Sequence, residues 1–337
     1  MIAQPPRDDS GFEAILAGRR EATFFHTRAW ARIVVAAFPQ IEDRSTILTV
    51  DGEAYAVPLF RWRRLGGLLA TRHSSFPFLY GGPIPARPAA YGALLDRLSR
   101  GRDALVVIGN PFAGPAVGGE ADLPHAPSGH PLRPVPETTH LLALPRSIEA
   151  FWENVLSSRK RNDIRRLTQK GVTVELSRDA ADAARIYELY RRRMSTWAQR
   201  PGLIYPTAFY PAMLARGGDA VRLYLARFEG RVIGGAFITR WNGIAHYNAG
   251  YFDDDARALR PNVLIQERVI RDAIADGYHT YDMLPSAGLR PVEEFKESFG
   301  GVRTSFPRWE RLGPLHRLVR GLRRGRPGTE EREQHAE

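Results

Sequence analysis

Apolar positions from 27 to 38 recur at helical spacing, with Ala29, Trp30, Ile33, Val34 and Ala37 on one side. Pro39 ends the run. The pattern then alternates. Residues 45–50 and 54–60 flank Asp51-Gly52, and an Asp-Gly pair between β-prone runs predicts a two-residue hairpin turn with positive φ. A further strand is predicted over 68–73, a helix over 89–98, and a buried strand over 104–108, closed by Gly109. Residues 109–136 hold seven Pro and five Gly, so no regular element fits there. A connection of that length suits a lid over a ligand or a plain surface loop.

The second half begins its pattern afresh. Residues 139–144 read as a strand, and Ser147 caps a helix running to about 157. A basic helix follows over 159–170, with Gly171 as its natural stop. Residues 172–176 alternate as a strand, 180–197 form a long helix, and 207–215 a shorter one. Strands over 221–228, 232–241 and 244–251 are separated by Glu229-Gly230 and Asn242-Gly243, which predicts an antiparallel meander. A helix over 262–275 ends at Gly277, then come a strand over 278–284, a helical turn over 292–299 and a last strand over 302–309. On a central strand, simple alternation places Tyr247 and Tyr251 on one face and His246 on the other.

One internal echo suggests duplication. Asp51-Gly52-Glu53 followed by AYAVPLFRW mirrors Glu229-Gly230-Arg231 followed by VIGGAFITRW. The length of 337 residues suits two domains, and 43% hydrophobic with 25% charged residues is ordinary globular composition. There is no cysteine, which excludes disulfides, a thiol nucleophile and thiolate metal ligands. The expected division is 1–137, 138–311, and a basic run with an acidic tail over 312–337. The net charge of +11 is uneven: residues 1–145 carry 15 Arg against 13 acidic residues, leaving 33 basic against 24 acidic for the rest. A basic second half attracts nucleic acid, anionic lipid or phosphorylated small molecules, although its Arg-heavy usage, with three Lys among 48 basic residues, also fits a compositional bias.

The order of elements resembles the GNAT acyltransferase fold, and the details resemble its FemAB-like branch, including BioF2-like acetyltransferase domains. Arg159-Lys160-Arg161-Asn162-Asp163-Ile164-Arg165-Arg166 followed by Lys170-Gly171-Val172 is similar to that family's basic helix. Leu225-Ala226, Glu229-Gly230 and Gly234-Gly235 are similar to its central hairpin, and Tyr251, 259–264 and Gly277 to its Pro-marked helix. Phe295-Lys296-Glu297-Ser298-Phe299-Gly300 is similar to its terminal FK-x-x-FG segment, and 76–83 to its PF-x-x-YGGP stretch. The resemblance implies an α/β fold of two tandem GNAT-like halves, each a mixed, mostly antiparallel sheet flanked by helices. It implies transfer of an acyl group onto an amine, with no tightly bound cofactor. Two co-substrates remain open, aminoacyl-tRNA and acyl-CoA. Ordinary GNAT enzymes hold the CoA phosphates on a Gly-rich turn at a helix start. Here that stretch is Arg257-Ala258-Leu259-Arg260-Pro261-Asn262, without Gly and with a Pro that cannot donate. That favours the aminoacyl donor.

Amide formation needs an aligned carbonyl, a neutral amine and a stabilised oxyanion. Lys296 is the candidate for stabilising the oxyanion, and by resemblance could instead hold a donor phosphate. Asp282, at the end of an apolar-alternating strand, would orient the amine or accept its proton. Tyr251 would donate to the carbonyl. By resemblance Arg257, Arg260, Asn262 and Phe295 would hold the donor. Arg159, Lys160, Arg161, Asn162, Arg166 and Lys170 would meet tRNA phosphates or a diphosphate in the acceptor, and Asn162, Arg166 and Lys170 fall at i, i+4 and i+8. No metal-ligand spacing, Walker loop, nucleophile elbow or dinucleotide fingerprint is present. The N-terminus lacks a basic-then-apolar signal pattern, and no apolar run reaches a membrane span. The expected place is cytoplasmic. The run Arg317, Arg320, Arg323, Arg324 and Arg326 offers peripheral contact with the inner face of a membrane, and a catalytically silent RNA- or membrane-binding role is the alternative of a different class.

Overall fold

Three hairpin turns form as their sequences require. Asp51-Gly52, Glu229-Gly230 and Asn242-Gly243 each take two successive positive φ values, 48–49° then 73–80°. The computed structural model describes residues 9–64, 67, 69–77, 79–112, 132, 134–196 and 203–313. Most of the Pro/Gly loop and the basic C-terminal run therefore lie outside the described residues.

The first half contains α1 (Asp9–Leu16), a 3-10 turn (Phe24–His26), α2 (Arg28–Ala37), β1 (Ile41–Asp43), β2 (Thr46–Val50), β3 (Glu53–Val57), β4 (Phe60–Arg64), β5 (Leu69–His73), α3 (Pro88–Ser99) and β6 (Ala104–Ile108). The second contains β7 (Pro134–Ala143), α4 (Ile148–Ala150, continuing as a π-turn over Phe151–Val155), α5 (Ser158–Gln169), β8 (Thr173–Ser177), α6 (Ala180–Thr196) and α7 (Phe209–Arg216). It continues with β9 (Val221–Phe228), β10 (Arg231–Trp241), β11 (Ile244–Phe252), α8 (Pro261–Ala275), β12 (Thr280–Asp282), α9 (Arg290–Glu297) and β13 (Val302–Arg311). Hydroxyl caps start three helices: Ser147, as expected, accepts from the Ala150 N–H, and Thr27 and Ser157 accept from Trp30 and Lys160.

Among the described residues, eleven strands form one mixed sheet in the order β1-β4-β5-β6-β13-β7-β12-β11-β10-β9-β8. Helices cover both faces. On one, α2, α6 and α7 bury Trp30, Ile186, Tyr210 and Phe237. On the other, α5 and α8 bury Ile164, Leu167, Val263 and Ile270. The sheet is continuous through both halves, because β13, from near the end of the chain, lies between β6 and β7 and pairs antiparallel with each.

Several expected elements differ, each for a physical reason. The strand read over 54–60 breaks at Pro58, which has no N–H to give a ladder. Its first part forms a separate two-stranded ribbon with β2, while β4 joins the main sheet. The two hairpins that echo one another in sequence thus occupy different places, since β9–β10 lies within the main sheet. β7 begins five residues early despite Pro134 and Pro136. His140, which shares their parity, accepts from the Met283 N–H on the β12 side, and β12 pairs only with Leu141–Ala143, so these prolines face a side where no strand needs a donor. The strand read over 278–284 shortens to Thr280–Asp282, because Tyr278 still bonds back to the Ala273 carbonyl of α8 and Leu284 turns left-handed, at φ 57°. Pro291 in the first turn of α9 starts that helix two residues ahead of the predicted 292.

Gly81 marks a close approach in the first half. A Cβ there would meet the Ser74 carbonyl oxygen at 2.0 Å and Ser75 Cβ at 2.6 Å. Backbone cannot yield as a flexible side chain does. Gly81→Ala is therefore expected to destabilise by about 3 kcal/mol. A lowered denaturant midpoint at unchanged slope would show it, and a wild-type midpoint would refute the clash.

Candidate active site

The parallel strands β11 and β12 pair only over Ile244–His246 and Thr280–Asp282. Beyond that point β11 runs on to Phe252, bonded to β10 alone, while the other chain turns away at Leu284. A wedge opens in the sheet, with His246 and Asp282 side by side at its apex.

A β-bulge shapes the β11 wall. Phe237 pairs with Ala249 and Ile238 with Tyr247, so Asn248 is the extra residue. This overturns the face expected for the two tyrosines. Tyr247 packs with the α8 side, whereas Tyr251 joins the α6/α7 side. Alternation assumes an unbroken period of two, and one inserted residue reverses everything after it. Tyr251 packs on Tyr190 at 5.2 Å between ring centroids and on Tyr210 at 6.3 Å, and burial raises its hydroxyl to about 12.

Asp282 is fully buried. Its Oδ1 accepts from Thr139 Oγ1 at 2.6 Å and from the Leu284 N–H at 2.9 Å. Burial pushes its carboxyl up to about 6, while the Thr139, Leu284 and Tyr80 contacts and the Lys296 charge pull it back. Lys296 is 5% exposed and donates through Nζ to the Leu284 carbonyl at 2.5 Å and to Ser286 Oγ at 2.8 Å. Burial lowers it to about 8, against the pull of Asp282 and Glu293. Desolvation moves the acid and the base toward each other's range, a pattern typical of functional sites. His140, also buried, lies 3.6 Å from Glu297 and is held low by burial and by Lys296.

Around this centre the sequence candidates separate into groups. Phe295 packs on Phe299 at 5.3 Å, and Lys160 Nζ sits 4.6 Å from the Phe299 ring and 5.5 Å from that of Phe295. Lys160 is therefore 7% exposed and not on a solvated face, and burial lowers its pKa. Arg260, left-handed at φ 43°, precedes α8 and pairs with Asp163 of α5 at 2.7 Å. That contact ties the middle of α5 to the start of α8. Arg257 is exposed on the turn before α8, and Asn262 is half-buried in its first turn. Arg159, Asn162 and Arg166 line a cleft of about 480 Å³ with Ser158 and Asp163. Lys170 is exposed at the other end of α5, about 18 Å along the axis from Ser158. Arg161 turns inward and donates to the carbonyls of Trp152 and Leu156 at 2.7 Å each. Its neighbours Trp152, Arg165 and Arg271 line a second cleft of about 520 Å³.

Sequence reasoning missed Thr139 and Ser286. Neither stands in a pattern that marks it, because their roles come from strands and turns that meet only on folding. Among the described residues, no group of three or more His, Asp or Glu side chains is placed to hold a metal, and no helix is long and apolar enough to cross a membrane.

A family described as an acetyltransferase (GNAT) domain matches residues 156–297. No curated protein matches the chain. Among solved structures, that of FemX is similar at 14% identity, covering 94% of this chain and 99% of that one, with a TM-score of 0.68. The C-terminal domain of a putative lysylphosphatidylglycerol synthetase from Agrobacterium fabrum is similar at 15% identity, with 92% and 96% covered and a TM-score of 0.53. L-PGS from Bacillus licheniformis is similar at 11%, with 95% and 97% covered and a TM-score of 0.53. At these identities the likeness is one of fold.

Proposed function

Residues 156–297 form a GNAT-type acyltransferase domain within a chain folded like FemX, and from that premise we propose that the protein moves an aminoacyl group from aminoacyl-tRNA onto an amine. The acceptor class is a cell-envelope precursor or a small metabolite. The observation that carries the reading is the placement of Lys296 and Asp282 together at the apex of the wedge.

The amine nitrogen attacks the donor carbonyl carbon. An ammonium has three hydrogens, and two of those on Lys296 are engaged by Leu284 and Ser286, leaving one for the developing oxyanion. The nitrogen becomes strongly acidic as it bonds to carbon, so a carboxylate near pKa 6 suffices to take its proton. The carbon–oxygen bond to the ribose then breaks, and Asp282 passes the proton it took from the amine to the leaving oxygen, returning to its carboxylate form. Arg159, Asn162 and Arg166 in their cleft, with Arg257, would hold phosphates. We assign 138–311 to the donor side and 1–137 to the acceptor side.

The start of α8 favours this donor over acyl-CoA. Pro261 at its first position offers no N–H, and the Arg260 guanidinium is engaged by Asp163. The second reading, N-acetylation from acyl-CoA, is favoured by the acetyltransferase description of the matching family. Binding to deacylated tRNA and to coenzyme A at one fixed moderate salt separates them, since phosphate contacts weaken steeply with ionic strength. Saturable tRNA binding without CoA binding is the expected result. CoA binding with only weak, salt-erased tRNA binding would replace it with the second reading.

A further inference from the structure

The parallel register places His246 directly opposite Asp282. Both are fully buried, and Nε2 of the imidazole lies 3.9 Å from Oδ2 of the carboxyl. The two carboxyl oxygens are unequal. Oδ1 is held by Thr139 and by the Leu284 N–H, which fixes the plane of the group, whereas Oδ2 and both imidazole nitrogens lack a partner at hydrogen-bond distance. Buried polar atoms left this way are costly, and each calls for a structural reason. The ring is also confined. Phe25 meets it edge-on at 4.8 Å, Phe112 at 5.8 Å, and Tyr80 tilts against it at 6.2 Å. Three aromatic walls leave it two polar directions, toward Oδ2 and toward the Thr239 carbonyl of β10.

We propose that His246 is a positioning residue for Asp282: its neutral imidazole presents Nε2–H to Oδ2 and steadies the carboxylate that receives the amine proton. The inference rests on the role proposed for Asp282. A hydrogen bond needs less than about 1 Å of closure from the 3.9 Å separation. The groups facing this pair are Thr139 of β7, Tyr80 of the segment before α3, Lys296 of α9 and His26 of the 3-10 turn. Burial holds His246 down to about 3, so the ring stays neutral through the working range and acts as a donor, not a base. A donor to the charged form lowers a carboxyl pKa, and losing one raises it.

The test titrates Asp282 in the full chain labelled with ¹³C at aspartate carboxyls, the signal being assigned by its loss in Asp282→Asn. His246→Phe keeps the aromatic packing and removes the donor, and should raise the Asp282 midpoint by about one pH unit. His246→Gln retains an N–H donor and should stay within a few tenths of wild type. The acidic limb of the acyl-transfer profile should move with His246→Phe and return with His246→Gln, which a packing role alone would not produce. A midpoint unmoved or lowered in His246→Phe overturns the proposal. If neither variant folds, ¹⁵N shifts of the wild-type imidazole decide: Nε2–H that responds to the Asp282 titration supports it, and Nδ1–H overturns it. The titration needs neither donor nor acceptor, so failure of the proposed transfer reaction would leave its outcome readable.

Discussion

Lys296→Met is expected to slow acyl transfer by about 10²–10³-fold while donor binding changes only a few-fold, as befits a group that acts on charge developing in the transition state. The substitution is close in volume and exchanges a buried charge for a thioether. Removing one member of a buried charged pair costs stability, so the denaturant midpoint of the variant is measured alongside, and a loss of rate with an intact fold isolates the ammonium itself. Its hydrogen-bond partners, the Leu284 carbonyl and Ser286, are neutral, but the buried Asp282 carboxyl loses the positive charge that favours its ionised form, so its pKa should rise further in the variant. Lys296→Arg should not restore the rate, because the 5% exposed site has no room for a planar fork. Single-turnover transfer at saturating donor, with donor affinity measured alongside, is the assay. Transfer and binding both at wild-type levels would remove Lys296 from the mechanism.

The protein is also expected to lose stability steeply below pH 6.5. His26, His73 and His246 are buried and neutral, held down to about 4, 3 and 3 by desolvation. The unfolded chain binds protons on these side chains near pH 6.5 and the folded chain does not, so their stability is complete above pH 6.5 and is lost as pH falls toward the folded values. Each withdraws about 3–5 kcal/mol by the time its folded pKa is reached, against a total of about 5–15 for a native protein. Asp282 works in the opposite direction. Its carboxyl is raised to about 6, so the cost of burying its charge, about 3 kcal/mol, is relieved between pH 6 and pH 4. Three histidines outweigh one carboxyl. His73 lies away from the wedge, beside Trp62 and Phe76, and provides the test. His73→Phe should lose about 2 kcal/mol less than wild type between pH 7 and pH 5, read from denaturant unfolding at each pH. Any constant effect of the substitution cancels in that difference. Parallel pH dependences would remove His73 as a cause.

Element types were largely readable because local signals and tertiary packing agree: X-Gly turns, hydroxyl caps and alternating strands need little long-range information. α1 was not foreseen, and its Phe12 and Leu16 find their cluster only against Ala56 and Ile84. The bulge at Asn248 was invisible for a related reason, since nothing in YNAG announces an extra residue until a partner strand is laid beside it. Lys296 and Asp282 could be singled out singly, one rare in the chain and one polar in an apolar run. Their convergence with Thr139, 143 positions from Asp282, could not. Lys160 and Arg161 show the limit of charge patterns. Both read as members of a basic face, yet one inserts against Phe299 and the other ties down the carbonyls of the preceding π-turn.

The position of β13 bears on how the chain is made. A ribosome delivers the first half long before residues 302–311, so the β6 edge must wait, unpaired, through most of synthesis. Only when the last strand emerges can it stitch β6 to β7 and complete a sheet whose pairings span some two hundred residues of sequence. An emerging chain of this kind exposes a long-lived strand edge, which makes it a natural client for chaperones that shield such edges. It also means that damage confined to the final strand disables the first half as surely as the second.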